Sequence, residues 1–230
     1  MLNRKHLLTV VALLLLSSVT FAQSESIKYV ISIDYPMGKK ADYLDWVKTI
    51  VNTLQEPEEV LSIASYDNYL STSPHRFVEF EFANALDAAK YFDLPEIREV
   101  IDGTLNHGMN LNTKIFIKRG DYSTGENTRG KIKYCYMLDY PVGGKANYIS
   151  WVKTIVKDLQ EAEGIKRITS YDNYLTASPQ RLIEFEFDSV QDATKYLSNP
   201  VVKAVFDKSA SLSINSKLDV MSLRGDYNKN

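Results

Sequence analysis

The sequence predicts an α+β fold: two tandem βαββαβ ferredoxin-like domains whose antiparallel sheets pack together as an intramolecular α/β barrel. Three observations carry this expectation. A gapless internal repeat aligns Lys28–Tyr122 on Lys133–Tyr227 at a constant offset of 105, with about 45 of the 95 positions identical. Within each copy the apolar period switches between two and about 3.6 residues in a fixed order. Finally, two helices can cover only one face of a four-stranded sheet, so the other face must meet solvent or a second sheet.

The first copy supplies the element order. Tyr29, Ile31 and Ile33 alternate with Ser32 and Asp34, a strand ended by Tyr35-Pro36 and Gly38. From Lys40 to Gln55, Tyr43, Val47, Ile50, Val51 and Leu54 fall at helical spacing, with Trp46 beside them. Ile63–Leu70 reads as a second strand, Ser71-Thr72-Ser73-Pro74 as a turn, and Phe77–Phe82 as a third strand. A second helix spans Asp87 to about Asp102, interrupted near Pro95, and Lys114–Lys118 closes the unit. That order is the split βαβ arrangement. The expected division is a signal peptide at 1–22, domain copies at 27–122 and 132–227, and a polar, turn-rich linker at 123–131. Its eight residues from Ser123 to Gly130, extended, reach roughly 25 Å, enough for the copies to lie face to face.

The amino terminus reads as an export signal. Arg4, Lys5 and His6 precede an apolar run from Leu7 to Leu16, then Ser17, Ser18, Thr20 and Phe21-Ala22-Gln23, so cleavage is expected after Ala22. The run is shorter than the ~20 residues of a membrane span, which leaves no stable membrane anchor after cleavage. A secreted or periplasmic location follows. Cys135 is the only cysteine and its counterpart is Val30, so each copy must rest on its own core. The formal charge is −2, falling to −4 without Arg4 and Lys5. No basic block stands out, which argues against a nucleic-acid partner.

Such sheets, fused as two copies in one chain, resemble the dimeric α/β-barrel superfamily, which includes the antibiotic-biosynthesis monooxygenase and NIPSNAP-like proteins. The resemblance covers both copies and rests on topology, domain size and duplication. Its members include cofactor-independent oxygenases, haem-degrading enzymes, isomerases and stress-response proteins, so the fold does not fix the function. In haem-degrading members an axial histidine is expected, and His107 is the candidate near a helix end.

No motif names a reaction. Gly125-x-x-x-x-Gly130-Lys131 is followed by Ile132 and a strand, not by the Ser or Thr and helix of a phosphate loop. The sequence calls for no metal and no cofactor. His75 and His107 are candidate catalytic residues because the second copy has Gln180 and Leu212 there. Both also read as ordinary loop residues, beside Pro74 and Gly108. On the third strand Val78, Phe80 and Phe82 share one face, so Glu79 and Glu81 take the other, and Glu184 and Glu186 repeat this. These four form a candidate ligand-binding set, with Glu79 and Glu184 also candidate catalytic groups, unless that face is simply solvated. Enclosed carboxylates would need cations or raised pKa values, and Arg76, Arg181, Arg119 and Arg224 stand near the strand ends. Tyr66, Asp67, Tyr171 and Asp172 are further candidate ligand contacts, or else sheet and turn residues. Fourteen of the 15 tyrosines fall into seven matched pairs, leaving only Tyr136.

Two functions remain open. One is an exported small-molecule protein, ligand-binding or cofactor-independent oxygenase-like. The other is a non-catalytic stress-related or interaction module, whose halves exist to bury each other.

Overall fold

A computed structural model describes residues 25–123 and 128–227. The expected signal segment, 1–22, and the central part of the linker lie outside the described residues. Each half contains four strands and three helices. The first has β1 (Ile27–Asp34), α1 (Lys40–Gln55), β2 (Val60–Asn68), β3 (Arg76–Phe82), α2 (Ala85–Asp93), α3 (Pro95–His107) and β4 (Met109–Asp121). The second has β5 (Ile132–Asp139), α4 (Lys145–Glu161), β6 (Arg167–Asn173), β7 (Arg181–Phe187), α5 (Val190–Ser198), α6 (Pro200–Leu212) and β8 (Ile214–Asp226).

The helical segment interrupted near Pro95 is two helices. Leu94 is extended, with ψ 131°, and Pro95 occupies the first turn of α3, where its missing N–H costs nothing. Pro200 repeats this at α6. Asn84 caps α2 by accepting from Asp87 N, and Ser189 caps α5 from Asp192 N. The fourth strand runs well beyond Lys114–Lys118. Its added residues before Lys114 pair with β1 of the same copy, and those after Lys118 pair with β6 of the other copy, a partner that reading one copy alone does not reveal.

The eight strands close into one antiparallel barrel in the order β1-β3-β2-β8-β5-β7-β6-β4. Each half contributes a four-stranded sheet, and two junctions join them. β2 meets β8, with Ala64 opposite Asp226 and Asn68 opposite Met221. β4 meets β6, with Phe116 opposite Asn173 and Asp121 opposite Thr169. Closure leaves no sheet edge unpaired. The duplicated ferredoxin-like chain is therefore a barrel built within one polypeptide.

Outside the barrel wall, each helix layer packs a separate core on its own sheet. Phe80, Phe82, Tyr91 and Ile97 anchor the first, and Phe185, Phe187, Tyr196 and Val202 the second. Fully burying a phenylalanine such as Phe82 or Phe187 is worth about 1.5–3 kcal/mol. Buried Tyr91 donates to Leu54 O at 2.8 Å and Tyr196 to Leu159 O at 3.2 Å. Each matched tyrosine thus ties its second helix to the end of the long one while leaving no hydroxyl stranded.

Candidate functional site

Strand parity sends two sets of residues in opposite directions, so the lumen and the helix-covered face must be considered separately. Inside the barrel, Glu79 and Glu184 are buried, as the alternation requires. Their neutralising groups are lysines. Lys28 Nζ lies 2.7 Å from Glu184 and 3.1 Å from Glu79, and Lys133 Nζ lies 2.8 Å from Glu79 and 3.5 Å from Glu184. The four charges alternate in a ring across the two halves. Lys28 also sits 4.5 Å from the Tyr171 ring centroid, and Lys133 4.1 Å from that of Tyr66, each a cation–π contact.

Burial by itself would raise Glu79, but Lys133 and Lys28 overcome it and hold its pKa below the usual carboxylate range. Glu184 goes the other way, raised by burial and by Glu79. Burial opposes charge on both lysines, yet Glu184 and Glu79 keep them well above the ordinary lysine value. Glu81 is partly open at the rim, where Lys28 and Arg129 bring it down to about 2 against burial. Glu186 accepts from Gly130 N at 2.7 Å.

Phe77, Phe116, Met137, Leu182 and Met221 fill the remaining lumen. A gap of about 10 Å³ beside Glu79, Glu184 and Cys135 remains, at most one water's space. The expected glutamate set is therefore brought together, but lysines occupy the space a ligand would need. The arginines suggested as partners lie elsewhere. Arg76 and Arg181 share strand parity with Val78 and Ile183, so they face the helices.

Those arginines form the floor of two matched pockets between sheet and helices. Each pocket has a volume of about 50 Å³. The first is walled by Tyr43, Trp46 and Val47 of α1 and by Val100, Ile101 and Thr104 of α3. The second is walled by Tyr148, Trp151 and Val152 of α4 and by Val205, Phe206 and Ser209 of α6. Arg76 is 2% exposed; it donates to Asp67 at 2.9 Å and to Ser65 Oγ at 2.7 Å. Arg181, 4% exposed, donates to Asp172 at 3.1 Å. In both arginines Nε has no hydrogen-bond partner. An unpaired guanidinium N–H beside apolar walls costs free energy unless something fills it.

Each pocket is completed by the other half. Tyr122, at the end of β4, lines the second pocket, and Tyr227, at the end of β8, lines the first. Their backbones bond across the junctions, Tyr122 N to Ile168 O and Tyr227 N to Ile63 O, both at 2.8 Å. A Cβ at Gly120 or Gly225 would collide with the Tyr122 or Tyr227 ring, so these glycines let each ring fold back against its own strand. Arg224 reaches Asp67 at 3.3 Å and Arg119 reaches Asp172 at 3.3 Å. The repeated Arg-Gly-Asp-Tyr segment thus supplies an arginine and a tyrosine in trans. Lys40 and Lys145 add further cations at 2.8 and 2.9 Å from the same aspartates. Burial notwithstanding, Lys40 and Arg76 keep Asp67 ionised, and Lys145 and Arg181 do so for Asp172.

The candidate histidines stand outside both pockets. His75 Nδ1 accepts from Tyr35 N at 3.0 Å, and Gln180 Oε1 accepts from Tyr140 N at 2.8 Å. Position 75 and its counterpart perform one backbone task with different side chains. His107 stacks on Trp46 at 4.7 Å. Among the described residues no group of three or more His, Cys, Asp or Glu is arranged to hold a metal, and no helix is long and apolar enough to cross a membrane.

No family model matches the sequence, and no curated protein matches it either. Solved structures do match the fold. A "putative monooxygenase" from Fusobacterium nucleatum subsp. nucleatum superposes with a TM-score of 0.71 at 12% identity, over 90% of this chain and 96% of that one. An anthrone oxidase-like protein gives 0.67 at 9% identity, over 89% and 93%. A variant of chlorite dismutase from Candidatus Nitrospira defluvii gives 0.56 at 12%, over 90% and 95%. At these identities the likeness concerns the fold, which is that of the dimeric α/β barrel.

Proposed function

We propose that this single-chain dimeric α/β barrel is an exported small-molecule-binding protein whose ligands enter the pockets between sheet and helices. The observation that carries the reading is the buried arginine that lines each apolar cleft with its Nε unpaired. A guanidinium N–H left unsatisfied at the same place in both copies is a donor waiting for an acceptor oxygen. The structural neighbours described as a monooxygenase and as anthrone oxidase-like are consistent with small-molecule chemistry on this fold. The Arg4–Ala22 segment motivates export, and an intact mass beginning at Gln23 tests it; a full-length cytoplasmic protein overturns it.

The filled lumen favours the second reading, a non-catalytic interaction module, because burial of one half by the other explains the ion ring without any ligand. Native mass spectrometry of the purified chain separates the two. The ligand reading expects a retained small molecule that is lost in a Val47→Phe/Val152→Phe variant, which narrows both pockets while leaving the barrel intact by circular dichroism. No retained molecule, together with no thermal shift across a panel of small acids and neutral aromatics, favours the interaction module.

A further inference from the structure

The two pockets are built from one repeat but are not equivalent. In the first, the serine is satisfied: Arg76 donates to Ser65 Oγ at 2.7 Å, and Ser65 Oγ lies 3.4 Å from the Tyr227 hydroxyl, so only Arg76 Nε is left unpaired. Thr104, in the α3 wall, turns its hydroxyl onto Val100 O at 2.9 Å. In the second, the equivalent chain is open. Ser170 Oγ has no partner, in addition to the Arg181 Nε that matches the unpaired Arg76 Nε; both Ser170 and Arg181 are more than nine-tenths buried.

Three substitutions between the copies then change the walls. Ile31 becomes Tyr136, Thr104 becomes Ser209 and Ile101 becomes Phe206. Ser209 Oγ sits 3.2 Å from the Tyr148 hydroxyl and 3.4 Å from that of Tyr136. The tyrosine with no counterpart in the other copy therefore joins a three-hydroxyl chain found only here. Tyr122, Tyr136, Tyr148, Trp151, Phe185 and Phe206 make the second pocket more aromatic than the first.

We infer that the second pocket is the binding half, and that it takes a planar, ring-sized acid whose carboxylate or phenolate oxygen accepts from Arg181 Nε and Ser170 Oγ. This rests on the small-molecule reading above. Behind the floor Arg181, Lys145 and Arg119 gather around Asp172, with Glu25 on Arg119; Arg76, Lys40 and Arg224 surround Asp67 in the same way. The excess of cations therefore favours an anionic head group in either half, and the unpaired Ser170 Oγ chooses between them. The aromatic walls suit a flat apolar body. A volume of about 50 Å³ holds the head group; cavities that admit benzene are about 150 Å³, so the ring enters as α4 and α6 move apart.

The chain carries its own reporters, because its two tryptophans stand one in each pocket. Trp46→Phe leaves Trp151 to report on the second pocket, and Trp151→Phe leaves Trp46 to report on the first. Benzoate and nicotinate are titrated as anionic probes, with benzyl alcohol as the uncharged comparison. The expected result is saturable quenching of Trp151 by benzoate, at least about 10-fold tighter than by benzyl alcohol, with no response at Trp46. Ser170→Ala in the Trp46→Phe background should weaken benzoate about 10-fold, one hydrogen bond to a charged group, and Tyr136→Ile should weaken both acids. Equal responses at the two tryptophans overturn the division between halves but leave the small-molecule reading standing. Quenching unaffected by Ser170→Ala, or equal for benzyl alcohol, overturns the anionic assignment. Silence at both tryptophans for all probes, with no retained ligand by mass spectrometry, sinks the reading itself.

Discussion

The barrel lumen and the helix-covered pockets solve opposite problems with the same strands. The lumen takes the charged positions of each strand and has almost no free space, so Lys28, Lys133, Glu79 and Glu184 compensate one another. The pockets take the apolar positions and keep both space and unpaired donors. Charge in this protein therefore marks the place where the halves are locked together. The unpaired donors, set among apolar side chains, mark the place proposed for a ligand. Density of ionisable groups by itself is a poor guide to function, because a ring that is neutral overall and leaves a gap of only about 10 Å³ has no room for a ligand, even though Tyr66 Oη and Glu184 Oε1 there lack hydrogen-bond partners.

The largest effect should come from breaking the ring. Lys133→Met leaves Glu79 and Glu184 sharing one lysine, and urea denaturation should show a loss of about 3–5 kcal/mol. Replacing all four charges, Lys28→Met/Glu79→Leu/Lys133→Met/Glu184→Leu, should restore stability to at least the parental level. If it does not, the ring does more than neutralise itself.

Next comes the cross-half clasp. Gly225→Ala forces the Tyr227 ring off its strand, and Gly120→Ala does the same to Tyr122, each costing roughly 1–3 kcal/mol by thermal or chemical unfolding. The first change should open only the first pocket and the second only the second. Tryptophan fluorescence would show this as a red shift confined to Trp46 or Trp151. A shift shared by both would mean that the pockets are not closed in trans.

Acid unfolding probes the lumen more gently. Glu81 is held at about 2 in the folded chain, below its unfolded value of about 4.3. The unfolded chain therefore takes up the proton first as pH falls. The stabilisation is complete above the unfolded value and is lost progressively as pH drops through about 2. Glu184 has the opposite sign, because its raised pKa makes its ionisation unfavourable to the fold as pH rises. Glu81→Gln should flatten the stability profile below pH 5, whereas a profile unchanged by it would place Glu81 outside the network.

The smallest effect should be at His75. Since Gln180 already accepts the equivalent backbone N–H, His75→Gln should alter stability by no more than about 0.5 kcal/mol. It should also leave ligand quenching untouched. A larger change in either would return this histidine to the functional candidates.

Much of this was legible in the residues. The offset of 105 exposed the duplication, the change of period gave βαββαβ, and parity separated Glu79 from Phe80. The same parity would have placed Lys28 and Lys133 in the lumen and Arg76 and Arg181 under the helices, but proximity along the chain suggested arginines as the carboxylate partners. Tyr136 was visible as the unmatched tyrosine, though without a role.

Periodicity depends on local backbone geometry, so one strand suffices to reveal which way a side chain faces. The sequence by itself therefore determined the duplication, the element order and the two faces of each strand. Only the tertiary structure decided that β2 meets β8 and β4 meets β6, that each pocket borrows its tyrosine from the other half, and that lysines fill the lumen. Those outcomes depend on contacts between residues far apart in the chain, such as Tyr66 with Leu223 or Tyr122 with Ile168. Such contacts leave no period in the chain, because what selects them is the closing of the barrel and the packing of its interior.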